Sequence, residues 1–133
     1  MKIIICGCGK IGIRIAEILA QQNELIVIDR DADSFQKLDS ITDAQFITGN
    51  ITDQDVLINA GIKNADVFLA LTGDDNANLF AAQVAKELFQ VKKVIARVKD
   101  PMRAKSFSDE IGLATVCGTE LIAEQIKKKM GAK

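Results

Sequence analysis

The residues best placed to do chemistry are three glycines and one distant acid. Gly7, Gly9 and Gly12 stand in the run CGCGKIG with the spacing G-x-G-x-x-G, and Asp29 lies 20 residues beyond Gly9. Where such a run follows a strand and opens a helix, each glycine has a separate task. The first permits a tight turn, the second lets backbone approach a pyrophosphate without a Cβ in the way, and the third lets helix and strand pack closely. The helix aims its positive end at the phosphates, and Asp29 accepts hydrogen bonds from ribose hydroxyls. Cys8, Lys10 and Ile11 complete the candidate cofactor loop. Lys10 either reaches phosphate oxygens or is a solvated loop lysine. Arg30, next to Asp29, would favour a 2′-phosphate and hence NADP. The retained Asp29 carboxylate repels that group, which ranks NAD or an adenosine phosphate above NADP.

Other side chains offer rival chemistry. Cys6 and Cys8 flank Gly7, and Cys117 is the third thiol. The strand order derived below sets Cys117 three strands from Cys6, roughly 14 Å at ~4.8 Å per strand. That is too far for a disulfide or a shared metal. Cys8 sits by a helix N-terminus, which lowers a thiol pKa, so it is either a reactive thiol or a small filler of the loop; the filler reading ranks first. Two acidic runs imitate calcium loops. Asp29-x-Asp31-x-Asp33 has Ser34 where glycine is required and Ser40 at position twelve, and Asp74-x-Asn76-x-Asn78 has Leu79 and Ala85 at those places. Both fail as EF-hands. The chain contains no His, Tyr or Trp, which excludes a histidine proton shuttle and a Tyr–Lys reductase pair.

These residues need a scaffold, and the rest of the chain supplies one. Short apolar runs alternate with helix-period segments: strands at 2–6 (KIIIC), 25–29 (LIVID), 44–48 (AQFIT), 67–71 (VFLAL), about 93–98 and 113–117 (LATVC). Helices are expected over 11–22, from about Asp33 within DADSFQKLDS, over 53–61 with Gly61 at its end, over 75–89, from Pro101 to about Glu110, and over 119–130. The first should bury Ile11, Ile15, Ile18 and Leu19, and the fourth Leu79, Ala82, Val84 and Leu88. Continuous apolar strands separated by helices argue for a parallel sheet covered on both faces. Right-handed crossovers then give a single Rossmann-like α/β domain, doubly wound, with six parallel strands in the order 3-2-1-4-5-6.

Composition sets outer bounds. With 133 residues and 48% apolar content the chain suits one domain with a substantial core. A formal charge of −1 gives no general affinity for nucleic acid. No apolar run approaches the ~18 residues of a membrane span. The N-terminal apolar run enters the glycine loop directly, which makes it a strand rather than a signal peptide. The expected setting is therefore cytoplasm with reduced thiols, where Asn50-Ile51-Thr52 is not a glycosylation site. Lys127, Lys128 and Lys129 suit the negative end of the last helix.

Beyond the glycine loop, the blocks IVIDRD, GNITDQDVLINAGIKNADVFLALTGDDNANL and VIARVKDP make nearly the whole chain resemble a known family. It is the ligand-binding domain that regulates bacterial and archaeal potassium transport, the Trk N-terminal, KTN or RCK domain (regulator of conductance of potassium). The middle block, G-[DN]-x-T, GI-x-x-AD and A-x-T-x-x-D-x-x-N, is the part that general dehydrogenases do not share. The resemblance implies a Rossmann fold and a pocket for NAD or NADH, with ATP, ADP or AMP as alternative ligands. It also implies a homodimer or higher homo-oligomer attached to a membrane potassium-translocating subunit, peripheral to the inner face of the cell membrane. Carried over by position, Gly7, Gly9, Lys10 and Gly12 would hold phosphates and Asp29 the ribose. Asn50, Ile51 and Thr52 would flank the adenine, Thr72, Gly73 and Asn78 would line the pocket beyond the fourth strand, and Arg97 would face phosphate. Two departures stand out. The Pro-Glu pair that often follows the family's sixth strand is replaced by Cys117-Gly118-Thr119-Glu120. The C-terminal regulatory subdomain of longer members is absent from this sequence, which fits a stand-alone regulator or a piece of a longer one.

The leading expectation is thus a regulatory nucleotide sensor without catalysis, its dimer surface formed by apolar residues of the last two helices such as Met102, Phe107, Leu121 and Ile122. The rivals are an NAD-dependent oxidoreductase fragment, which lacks room for a substrate domain, and a nucleotide-binding structural module without a ligand response.

Overall fold

The computed structural model describes residues 1–39 and 43–132; Ser40, the end of the DADSFQKLDS stretch, lies outside them. Its elements run β1 (Lys2–Cys6), α1 (Lys10–Leu19), β2 (Glu24–Asp29), a 3-10 turn (Ala32–Phe35) leading into α2 (Gln36–Asp39), β3 (Gln45–Thr48) and α3 (Gln54–Asn59). After a second 3-10 turn (Ile62–Asn64) come β4 (Val67–Ala70), α4 (Asp75–Gln83) continued by a π-helical turn (Val84–Leu88), β5 (Lys93–Arg97), α5 (Pro101–Ile111), β6 (Ala114–Val116) and α6 (Gly118–Met130). All strand pairs are parallel, in the order β3-β2-β1-β4-β5-β6. The doubly wound order expected from strand–helix alternation is therefore the one found.

Strand periodicity divides the core in two. Ile4, Cys6, Ile26, Ile28, Phe68 and Ala70 point to the face where Leu57, Leu79, Ala82 and Ala104 of α3, α4 and α5 pack. Ile3, Ile5, Leu25, Val27, Val67 and Leu69 point to the other, against Ala16 of α1 and Phe35 and Leu38 of the α2 region. Cys6 and Cys8 thus enter opposite core layers, and Cys117 joins the layer of Cys6. The register sets Cys6 beside both Ile28 and Ala70, so the loops after β1, β2 and β4 leave the sheet at one edge. The chain direction of the crossovers reverses between β1 and β4, which opens a crevice there.

Aspartates start α3, α4 and α5 on that edge. Asp53, Asp74 and Asp100 cap α3, α4 and α5 by accepting backbone N–H bonds, each cap contributing about 1 kcal/mol. Pro101 sits in the first turn of α5, as its fixed φ favours.

Several boundaries differ from the sequence expectation for local reasons. α1 stops at Leu19, not residue 22, because Asn23 Nδ2 turns back to donate to the Leu19 carbonyl at 3.0 Å. Its stripe is only partly buried: Ile11 and Ile18 are exposed. The long helix loses α geometry at Val84, where Phe89 N bonds to Val84 O and Val91 N to Ala85 O. Leu88 is consequently exposed and gives no core contact. Lys86, in that π turn, donates to the carbonyls of Ile111 (3.2 Å) and Gly112 (2.9 Å) at the end of α5. α6 contributes no buried residue; Leu121, Ile122, Ile126 and Met130 are all more than half exposed. Ala114 and Val116 are exposed on the same face of the sheet as Ile95 and Arg97. α1 and α2 cover only the other half of that face.

Candidate functional site

The glycine loop is fixed by close backbone contacts. Gly7 adopts φ +105°, a left-handed conformation costly for any side chain. Its N–H donates to Ile28 O at 2.8 Å, which holds the turn against β2. A Cβ at Gly7 would come within 2.9 Å of the Thr72 backbone, and one at Gly12 would run into the Gly7 carbonyl oxygen. Gly9, by contrast, faces open space. It is the N-cap of α1 and offers no side-chain acceptor, and α1 has no acidic residue in its first turn. The first N–H groups of a ten-residue helix are therefore directed at the crevice without a side-chain partner, a natural seat for an anion.

Asp29 closes the loop from the other side. Its Oδ2 accepts from Cys8 N at 2.7 Å and its Oδ1 from Asp31 N at 2.9 Å. Each oxygen keeps a second lone pair, so the half-buried carboxylate can still accept from vicinal hydroxyls. Cys8 adds a second tie, its Sγ donating to Ser34 O at 3.1 Å. Burial and the neighbouring Asp29 push the Cys8 thiol up from its usual range, only partly offset by Lys37. Burial and Asp29 both disfavour the thiolate, which favours the filler reading of Cys8 over the reactive one.

Around this core lies a cavity of about 830 Å³, a size suited to a nucleotide or dinucleotide. Of the expected residues, Gly7, Cys8, Gly9, Ile11, Asp29, Arg30, Asn50, Ile51, Thr52, Thr72, Gly73 and Arg97 line it. One end is formed by Asp29, Arg30, Asn50, Ile51 and Thr52. There Asn50 Oδ1 accepts from both Thr52 N and Thr52 Oγ1, and buried Ile51 supplies apolar surface. The other end is formed by Leu71, Thr72, Gly73, Asp74, Asn76, Ala77, Phe80 and Arg97.

Three expected residues stand apart from the cavity wall. Gly12 is a packing contact beneath the loop. Lys10 is exposed at the start of α1. Asn78 is fully buried behind the wall, where Oδ1 accepts from Thr72 N (3.0 Å) and Thr72 Oγ1 (2.6 Å) and Nδ2 donates to Thr72 O and Arg97 O, both at 2.9 Å. Sequence reasoning missed Ile28, Ser34, Gly49, Leu71, Asp74, Asn76, Ala77 and Phe80 as wall residues. The polar start of α4 hinted at Asp74 and Asn76; nothing in the spacing singled out Phe80. Among the described residues no cluster of three His, Cys, Asp or Glu side chains could hold a metal ion.

Residues 3–119 match the model of the TrkA-N domain. The chain is 41% identical over 131 residues to the Trk system potassium uptake protein TrkA of Streptomyces coelicolor, covering 98% of this chain and 58% of that relative's length. Among solved structures, the Kef C-terminal domain of Shewanella denitrificans in its AMP-bound form aligns with a TM-score of 0.80 at 20% identity, covering 98% of this chain and 79% of that one. The GsuK channel bound to NAD aligns with a TM-score of 0.66 at 23% identity, covering 86% of this chain and 21% of that one.

Proposed function

Because the chain belongs to the TrkA-N domain family, we propose that it is the nucleotide-sensing regulatory unit of a membrane potassium uptake system or channel. What carries this reading is the family match over residues 3–119, which spans every residue of the cavity wall. In this reading the N–H groups at the start of α1 hold phosphate, with Gly9 giving close approach and Arg97 adding charge. Asp29 holds the ribose hydroxyls, and Asn50, Ile51 and Thr52 flank the base. NAD or NADH is the preferred ligand, with AMP, ADP or ATP in the same pocket. Two features support that order. The cavity continues past the glycine loop to Thr72, Phe80 and Arg97, room for a second nucleotide half. The charged groups on its wall balance, Arg30 and Arg97 against Asp29 and Asp74, which suits a diphosphate bridge better than a triphosphate. Structures of related fold bound to AMP and to NAD support a nucleotide in this crevice.

The ligand acts by differential affinity for two arrangements of a homodimer, without bond breaking. The exposed apolar residues of α6 and Met102 of α5 form the dimer surface. The unit works at the cytoplasmic face of the membrane, held there by the potassium-translocating subunit; among the described residues no helix is long and apolar enough to cross a membrane. Calorimetric titration with NAD+, NADH, ATP, ADP and AMP tests the reading. Saturable binding without conversion of the nucleotide is the expected result, and no binding to any of the five sinks it.

A further inference from the structure

The first turn of α4 grips the next connection of the chain as firmly as it starts its own helix. Asp75 follows the Asp74 cap, and its carboxylate accepts from Lys99 N at 2.9 Å through Oδ1 and from Asp100 N at 3.2 Å through Oδ2. Asn76 Oδ1 accepts from Arg103 Nη2 at 2.8 Å. Asn78 Nδ2 donates to Arg97 O at 2.9 Å. One turn of helix thus holds the end of β5 and the start of α5. That connection in turn holds α6: the Lys99 carbonyl accepts from Thr119 Oγ1 at 3.2 Å and from Cys117 Sγ at 3.5 Å. The other side of the same α4 turn is cavity wall, through Thr72, Gly73, Asp74 and Asn76.

Asp75 is not required to begin α4, since Asp74 Oδ1 already accepts from Asn76 N and Ala77 N. Its carboxylate is spent instead on two N–H groups 24 and 25 residues away, and hydrogen bonds to an ionised acceptor are the strong kind. We infer that Asp75, with Asn78 behind it, is a positioning residue that transmits occupancy of the cavity from the 72–76 loop to the starts of α5 and α6. A ligand group seated against Thr72 and Gly73 fixes the first turn of α4. Through Asp75 and Asn78 the 97–100 segment is fixed with it, and through Lys99 the first turn of α6. This inference rests on the nucleotide reading above and adds the route by which binding reaches the proposed dimer surface.

Amide hydrogen exchange on the full chain, with and without saturating NADH, tests it, alongside calorimetry with the same nucleotide. In the wild type NADH should slow exchange in the 72–76 loop and at 118–122, by about fivefold or more at the latter, the low end of ordinary coupling between sites. Asp75→Ala should keep the Kd for NADH within about threefold, because Asp75 makes no part of the cavity wall, yet lose the slowing at 118–122. Thr119→Val, at an exposed position remote from the loop, should keep both Kd and loop slowing and lose only the effect on α6. Retained slowing at 118–122 in Thr119→Val, or in a folded Asp75→Ala, overturns the inference. So does wild-type binding of NADH with no change at 118–122, whereas failure of every nucleotide to bind the wild type overturns the nucleotide reading itself.

Discussion

Asp29 holds two backbone N–H groups of the protein, Cys8 and Asp31, with the same oxygens proposed to receive the ribose. Asp29→Ala should therefore act twice, lowering stability by about 1–3 kcal/mol and weakening NADH binding about tenfold or more. Thermal melts with and without NADH separate the two effects; a variant of wild-type stability and affinity would remove Asp29 from both roles. Gly12→Ala places a Cβ on the Gly7 carbonyl. It should cost about 1–3 kcal/mol of stability as loop and helix are forced apart, measured by urea unfolding. The thiols give a pH signature. Burial raises the Cys6 pKa far above its usual range, and burial with Asp29 raises that of Cys8. In the unfolded chain both ionise near about 8.5. Their stabilising effect is full below that pH and is lost as pH climbs from there toward the raised folded-state values, because only the unfolded state releases protons. The urea midpoint should fall from about pH 8.5 upward, with a shallower fall in Cys6→Ala; equal slopes would show that Cys6 does not drive it.

Asn78 shows what an element needs at its start. Replacing it with Ala strips partners from Thr72 N, Thr72 O and Arg97 O together. The expected loss is about 2–4 kcal/mol, seen in chemical unfolding, against less than about 1 kcal/mol for Lys10→Ala on the exposed start of α1. The same residue marks where the sequence stops being legible. Strand order and the glycine loop could be read because continuous apolar runs such as LIVID fit few places but a covered parallel sheet, and because G-x-G-x-x-G ties each glycine to a steric demand. The resemblance supplied the wall residues Asn50 to Thr52 and Thr72. It could not tell Asn78, which faces the core, from Asn76, which faces the cavity: two residues apart on a helix is a rotation of about 200°, and both are polar. Phe80 was illegible for a related reason, since helical periodicity gives a side chain's direction but not what lies opposite. The π turn was hidden because VAKEL has no residue that forbids α geometry.

At the scale of the whole molecule, α6 is an amphipathic helix whose apolar side is left uncovered by the other described residues. Of the residues expected at a dimer surface, Met102, Leu121 and Ile122 are exposed, whereas Phe107 packs against the core; periodicity names no partner. If a second copy covers α6, light scattering should show mass rising with concentration toward twice the chain mass. The double variant Leu121→Asp, Ile126→Asp should remain a monomer that still unfolds cooperatively, because α6 buries nothing in the single chain. A wild type that stays monomeric at high concentration rejects the homodimer. The tie between Lys86 and the carbonyls of Ile111 and Gly112 then acquires a mechanical meaning. The α4 segment and α5 are fastened together at both ends, by Asp75 and Asn76 near the cavity and by Lys86 at the far side, which would let the pair turn as one stiff beam. α5 has 11 residues, a length of about 16 Å, and a tilt of about 5° at the cavity end would sweep its far end by roughly 1.4 Å. Displacements of that size between helices are enough to repack an interface, so a rotation too small to reshape the cavity would be magnified into one that a neighbouring subunit can register.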